Sequence, residues 1–137
     1  MCDNQALLLS MAIFIANHSM KRTNLIDALL SDLVVGTHGA KAIEETVASA
    51  SKCFTEDNDA EKCALLLDEV YWMILDDFTL CQHLLPLIAL TNAILWEFTD
   101  VEHLRVIWAN RAKQHNDRIG SLSKYHLRVF NLLIENN

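Results

Sequence analysis

The sequence predicts an all-α fold: a single-domain bundle of about seven helices around a central hydrophobic helix, Leu84–Phe98. Three observations lead there. The stretch LLPLIALTNAILWEF is apolar on every side of a helical wheel, the mark of a helix packed on all faces. At about fifteen residues it is too short for a ~20-residue membrane span, so its solvent is the other helices of the chain. The 137 residues include three Gly and one Pro against 52% hydrophobic and 21% charged residues, which leaves few turn-makers and no low-complexity tract. Capping-box patterns recur ahead of helical runs, no stretch reads convincingly as a strand, and no fixed-period repeat is present. A chain of this length buries roughly two thirds of its unfolded surface, enough for one core.

Taken in order, the opening ALLLSMAIFIA has the apolar core of a secretion signal. Its flank MCDNQ carries Asp3 and no base, and Phe14 before Ala16 makes a poor cleavage site. A packed first helix from about Gln5 to His18, capped by Asp3 or Asn4, is therefore expected. Ser19 to Arg22 reads as a polar connection. Thr23 or Asn24 then opens a second helix with Asn24, Asp27 and Ser31 on its wet face, and Gly36 is expected to end it in the left-handed conformation. The loop from Gly36 to Gly39 lacks phosphate-loop spacing and reads as a turn. A third helix, Ala40 to about Cys53, turns Glu44 and Glu45 outward and offers Ala48 and Ala50 for close approach.

Asn58-Asp59-Ala60-Glu61 fits a capping box with Asn58 as cap, and the fourth helix runs from there to about Asp77. Thr79-Leu80-Cys81-Gln82 fits another, so the central helix starts there with a bend near Pro86, or at Pro86 itself. Thr99-Asp100-Val101-Glu102 opens a sixth helix with Val101, Leu104, Trp108 and Ala112 on one face. Gly120 ends it. Ser121 or Ser123 starts the last helix, whose apolar stripe is Tyr125, Val129, Leu132 and Leu133.

The net charge of −7 argues against general binding to nucleic acid or anionic lipid. It is also unevenly spread. Ten acids lie between Glu44 and Asp77 against Lys52 and Lys62, whereas Arg105 to Arg128 carries six bases against Asp117. The simplest reason is attraction between the two halves, or to a partner. Cys2, Cys53, Cys63 and Cys81 form no C-x-x-C pair and are expected to be reduced, mostly buried thiols of an intracellular, cytoplasmic protein.

The polar stripe of the fourth helix, Glu61/Lys62, Asp68/Glu69 and Asp76, has Leu65 and Trp72 in its middle. A Trp on an acidic face either lies under a neighbouring helix or anchors another protein. Burial is the first expectation and partner contact the second. The basic end of the sixth helix, with Arg111 and Lys113, suits its dipole and offers a surface for an acidic partner; pairing with the acidic fourth helix is the plainer expectation. Within the apolar helix, Thr91 can bond the carbonyl one turn earlier. Asn92 needs a partner, either a structural hydrogen bond to a helix end or a ligand in a cavity.

Asp76-Asp77 ends an apolar helix, where paired acids can hold magnesium. The stretch YWMILDDFTL resembles the first half of the D-D-x-x-D motif of terpene synthases, which would imply a diphosphate bound through metal, although Leu80 stands where the third acid belongs. His18, His38, His83, His103, His115 and His126 fall in no H-x-x-x-H, H-E-x-x-H or E-x-x-H arrangement, and nothing resembles a nucleophile elbow. No metal, cofactor or catalytic residue is assigned. SKCFTEDNDAE and LSKYHLRVFNLLIEN are similar to helical-repeat segments of PCI-domain scaffold subunits, which would imply a piece of a larger assembly. The hydrophobic central helix wrapped by amphipathic ones resembles the Bcl-2 plan without its N-W-G-R signature, which would imply a regulator with a helix-binding groove.

The function expected is non-enzymatic: a protein–protein interaction module that uses Leu65, Asp68, Glu69, Trp72, Arg111 and Lys113, with a possible homo-oligomer among its assemblies. The competing expectation is an apolar-ligand-binding protein or isoprenoid-type enzyme with Asn92 in its cavity.

Overall fold

The computed structural model describes residues 19–77 and 79–115, with side-chain environments over 23–77 and 81–115. These residues form an all-α structure with no strand among them: α1 (Ser19–Gly36), α2 (Lys41–Thr55), α3 (Ala60–Asp77), α4 (Leu85–Leu95) and α5 (Glu102–Gln114). Two 3-10 segments, Thr79–Leu84 and Trp96–Phe98, flank α4. The helices expected over residues 5–18 and 121–137 lie outside the described residues. No described helix is long and apolar enough to cross a membrane.

The helices follow their apolar spacing. In α1, Leu25, Ile26, Leu29, Leu30 and Leu33 are buried at helical intervals, while Asn24 and Ser31 face water. In α2 the buried set is Ile43, Val47, Ala50, Cys53 and Phe54. Of the two alanines expected to permit close approach, Ala50 is buried and Ala48 is exposed. α2 packs on α1 and α3, while α4 packs on α1, α3 and α5. All eleven residues of α4 are buried, as an all-round apolar sequence requires.

Several boundaries differ from the sequence reading, each for a local reason. Ser19–Arg22 belongs to α1 and is not a connection. Gly36 is not left-handed; positive φ falls on Gly39, at 91°, and on Asn58, at 51°. Gly36 is needed for space, because a Cβ there would lie 2.8 Å from a methyl carbon of Leu84. Asn58 is not the cap of α3. It takes the left-handed turn that Asn tolerates, and Asp59 caps the helix, its Oδ1 accepting a 3.0 Å bond from the Lys62 amide while its carbonyl accepts from Cys63.

The Thr79–Gln82 stretch does not cap α4. Gln82 reaches back and donates to the Ile74 carbonyl at 2.9 Å, satisfying one of the orphan acceptors at the end of α3. The α-helical part of the apolar stretch therefore begins at Leu85 with Pro86 in its first turn, where a missing amide costs nothing, and it tightens to 3-10 geometry over Trp96–Phe98. Thr99 bridges the next turn, donating to the Trp96 carbonyl at 2.9 Å and accepting from the Val101 amide at 3.2 Å. Glu102 turns toward Arg105 rather than back to Thr99.

Candidate interaction face

One face of α3 is buried through Cys63, Ala64, Leu67, Val70, Tyr71 and Ile74. The opposite face carries Leu65 and Trp72 one heptad apart, so both point the same way. Leu65 is 50% exposed and Trp72 44% exposed. The burial of Trp72 under a neighbouring helix is thus not what the described residues form. Glu61, Glu69, Asp76 and Asp77 around them are exposed, and Asp68 is half-buried.

Trp72 is nevertheless held in place. Its indole N–H donates to Asp68 Oδ1 at 3.2 Å, one turn earlier on α3. The Arg111 guanidinium of α5 lies over its ring at 5.0 Å, over Trp108 at 4.5 Å and over Tyr71 at 5.8 Å. Tyr71 meets Trp72 and Trp108 edge-on, with centroids 5.4 and 5.0 Å apart. Beneath them the Tyr71 hydroxyl and His115 Nε2 share a buried 2.6 Å hydrogen bond. A cation against three rings and an indole tied to a carboxylate together restrain Trp72 to one orientation.

The six residues picked from the sequence are brought together only in part. Asp68, Trp72 and Arg111 form one cluster; Leu65 and Glu69 share the α3 face with it; Lys113 is exposed near the end of α5. The expected pairing of α5 bases with α3 acids does not occur among the described residues. Arg105 binds Glu102 on its own helix at 3.2 Å and Arg111 faces rings, so Glu61, Asp68, Glu69, Asp76 and Asp77 have no ion pair there. The sequence reading missed Tyr71, Trp108 and His115. The signal was present, because Trp108, Arg111 and His115 are spaced along one side of α5.

Asn92 departs from expectation as well. It is fully buried, and among the described residues neither Nδ2 nor Oδ1 has a hydrogen-bond partner, so no structural bond to a described helix end is formed. Thr91 does donate to the Leu87 carbonyl, at 2.7 Å. An open cleft of about 500 Å³ lies between Phe54, the Asn58–Glu61 turn and Phe98–Val101, over an edge-on Phe54–Phe98 pair 6.1 Å apart. It is lined by other residues than Asn92.

Among the described residues no three His, Cys, Asp or Glu side chains converge where they could hold a metal. Cys53, Cys63 and Cys81 are buried and free. Burial pushes the Cys63 thiol up to about 12, with smaller contributions from Cys53 and Asp59, so it is not a thiolate near neutrality. No family model matches the chain, and neither the curated proteins nor the solved structures give a match.

Proposed function

We propose that this chain is a non-enzymatic interaction module that binds a partner protein through the outer face of α3, with Trp72 as its anchor and Leu65, Asp68 and Glu69 around it. Arg111 braces the anchor, and Lys113, exposed near the end of α5, is a further basic residue of the proposed surface. The observation that carries this reading is the pair Leu65 and Trp72, half-exposed one heptad apart within a rim of carboxylates. Apolar anchors ringed by polar groups are the usual form of a binding hot spot. A preorganised Trp also loses little side-chain freedom on association. The reading takes the whole chain as one bundle of about seven helices around Leu84–Phe98, acting inside the cell, where its thiols stay reduced.

The test is a comparison of captures from the protein's own cell extract, made with the full chain, with Trp72→Ser and with the distant surface variant Val35→Ser. A protein retained by wild type and Val35→Ser, but depleted at least about tenfold by a folded Trp72→Ser, is the expected result. Retention that ignores Trp72 removes the α3 face as the binding surface.

A second reading rests on Asn92, whose two amide atoms are buried without partners. An apolar-ligand-binding or isoprenoid-type protein would give that amide a ligand oxygen to bond. Solvent extraction of the purified chain followed by mass spectrometry checks it. A stoichiometric small molecule that disappears from Asn92→Leu would favour this reading over the first.

A further inference from the structure

Resting on the interaction reading above, we infer that the segment bound by the α3 face is a basic amphipathic helix of a different protein. Four observations lead to it.

The first is charge. Glu61, Asp68, Glu69 and Asp76 lie along the outer side of α3 with Lys62 as its one base, Asp77 lies at its end, and none of the five acids has an ion pair among the described residues. A partner that covers Leu65 and Trp72 must lie beside these carboxylates, and cations are the groups that lower the cost of doing so.

The second is the end of α3. Its last turn carries Asp76 and Asp77 and no base, the reverse of what the helix dipole favours. Both carboxylates are exposed. Among the described residues no cation offsets that arrangement, and a partner that supplies one would place its densest positive charge opposite Asp76 and Asp77.

The third is shape. Leu65, Trp72 and the exposed Leu75 lie along about 15 Å of a convex helix, at the rise of an α-helix. Such a ridge fits the groove of another helix, whose apolar residues would recur at i, i+3 or i+4, and i+7. No strand edge among the described residues offers an extended peptide a ladder.

The fourth excludes a second copy. A twofold contact through this face would set the same acids against their own images in a chain of net charge −7. Like charges so placed repel, and the more so as the apolar contact dries the interface.

The test uses the full chain and a labelled peptide of about twenty residues, with Leu on one helical face and Lys on its flanks. One control replaces every Lys by Glu; another keeps the composition and scrambles the period. Binding is followed by fluorescence anisotropy. The basic amphipathic peptide is expected to bind, and to weaken about tenfold between roughly 50 and 500 mM NaCl as the carboxylates are screened. Neither control binds. Trp72→Ser and Asp76→Lys each weaken the complex about tenfold or more. Asp76→Lys leaves the melting temperature unchanged or raises it, because the new charge suits the helix end.

Equal binding of the Glu or scrambled peptide overturns the inference, as does binding indifferent to Trp72 and Asp76. Failure of the basic peptide to bind, while cellular capture still depends on Trp72, overturns the partner's chemistry and leaves the interaction reading standing. Capture indifferent to Trp72 overturns both. Two rival occupants have their own signatures: a dimer in light scattering that Trp72→Ser dissolves, or zero-length cross-links in the free protein between α3 acids and Lys124 of its own basic tract. Either one overturns the assignment to a different protein.

Discussion

Helices α3 and α4 pack against each other, yet they treat apolar side chains in opposite ways. α4 buries all of its eleven residues, Asn92 included, whereas α3 buries one face and leaves Leu65 and Trp72 half in water. Apolar character in α4 is explained by its neighbours α1, α3 and α5. On the outer face of α3 nothing among the described residues explains it. Burying a Leu contributes about 1.5–3 kcal/mol, and Leu65 gains only part of that. The two helices thus separate residues kept for folding from residues whose exposure asks for another reason.

The largest test of that division is in α4. Leu90→Ala is expected to cost about 2–5 kcal/mol, the range for a buried leucine whose cavity does not collapse. Urea unfolding followed by circular dichroism measures it. A loss below about 1 kcal/mol would mean that α4 can relax around the hole and is not the close-packed helix its burial indicates.

Asn92 sharpens the same contrast from the other side. An unpaired buried amide costs about 1–3 kcal/mol, so Asn92→Leu, which keeps the heavy-atom skeleton but has bulkier methyl ends, is expected to raise stability by that amount less the cost of crowding its neighbours. The sign is the informative part. If Asn92→Leu destabilises the protein by more than the ~1–3 kcal/mol that overpacking costs, the amide has a partner in solution, and the ligand reading gains the support that the geometry alone does not supply.

How much of this was legible in the sequence follows from which forces act locally. Apolar periodicity is a local signal, so the all-α class, the extents of α2 and α3 and the all-round burial of residues 85–95 could be read to within a few residues. Caps are decided by single dihedrals, and there the reading slipped by one position, from Asn58 to Asp59. Gly36 was misread because its role is to make room for Leu84, a residue far along the chain that no local pattern names. The candidate face was half legible. Leu65 and Trp72 conflict visibly with their acidic stripe, but Arg111 over Trp72 and Tyr71 against His115 join residues about forty positions apart. Pairing of the acidic and basic halves, inferred from composition, is not made by Arg111, which is engaged by rings, while Arg118, Lys124 and Arg128 lie outside the described residues.

The corrected cap gives a smaller effect on α3 itself. Asp59→Ala is expected to cost about 1 kcal/mol, whereas Glu61→Ala, whose side chain has no recorded capping bond, should change stability by less than about 0.5 kcal/mol. A thermal unfolding series of the two variants decides between Asp59 and the Asn58/Glu61 box. Equal losses would return the cap to the box.

The outer face of α3 bears most directly on the contrast between the two helices. Trp72→Ser loses a partly exposed cation–π contact, a hydrogen bond to Asp68 and the buried half of the indole, together about 2 kcal/mol. Leu65→Ser, with half of its surface already in water, should cost about 1 kcal/mol. A residue whose removal costs the fold so little, set beside one in α4 that costs several times more, is one whose exposure the proposed partner would explain. If chemical unfolding instead shows Leu65→Ser losing as much as Leu90→Ala, then α3 is covered on both sides in solution, Leu65 is a core residue, and its exposure no longer argues for a partner.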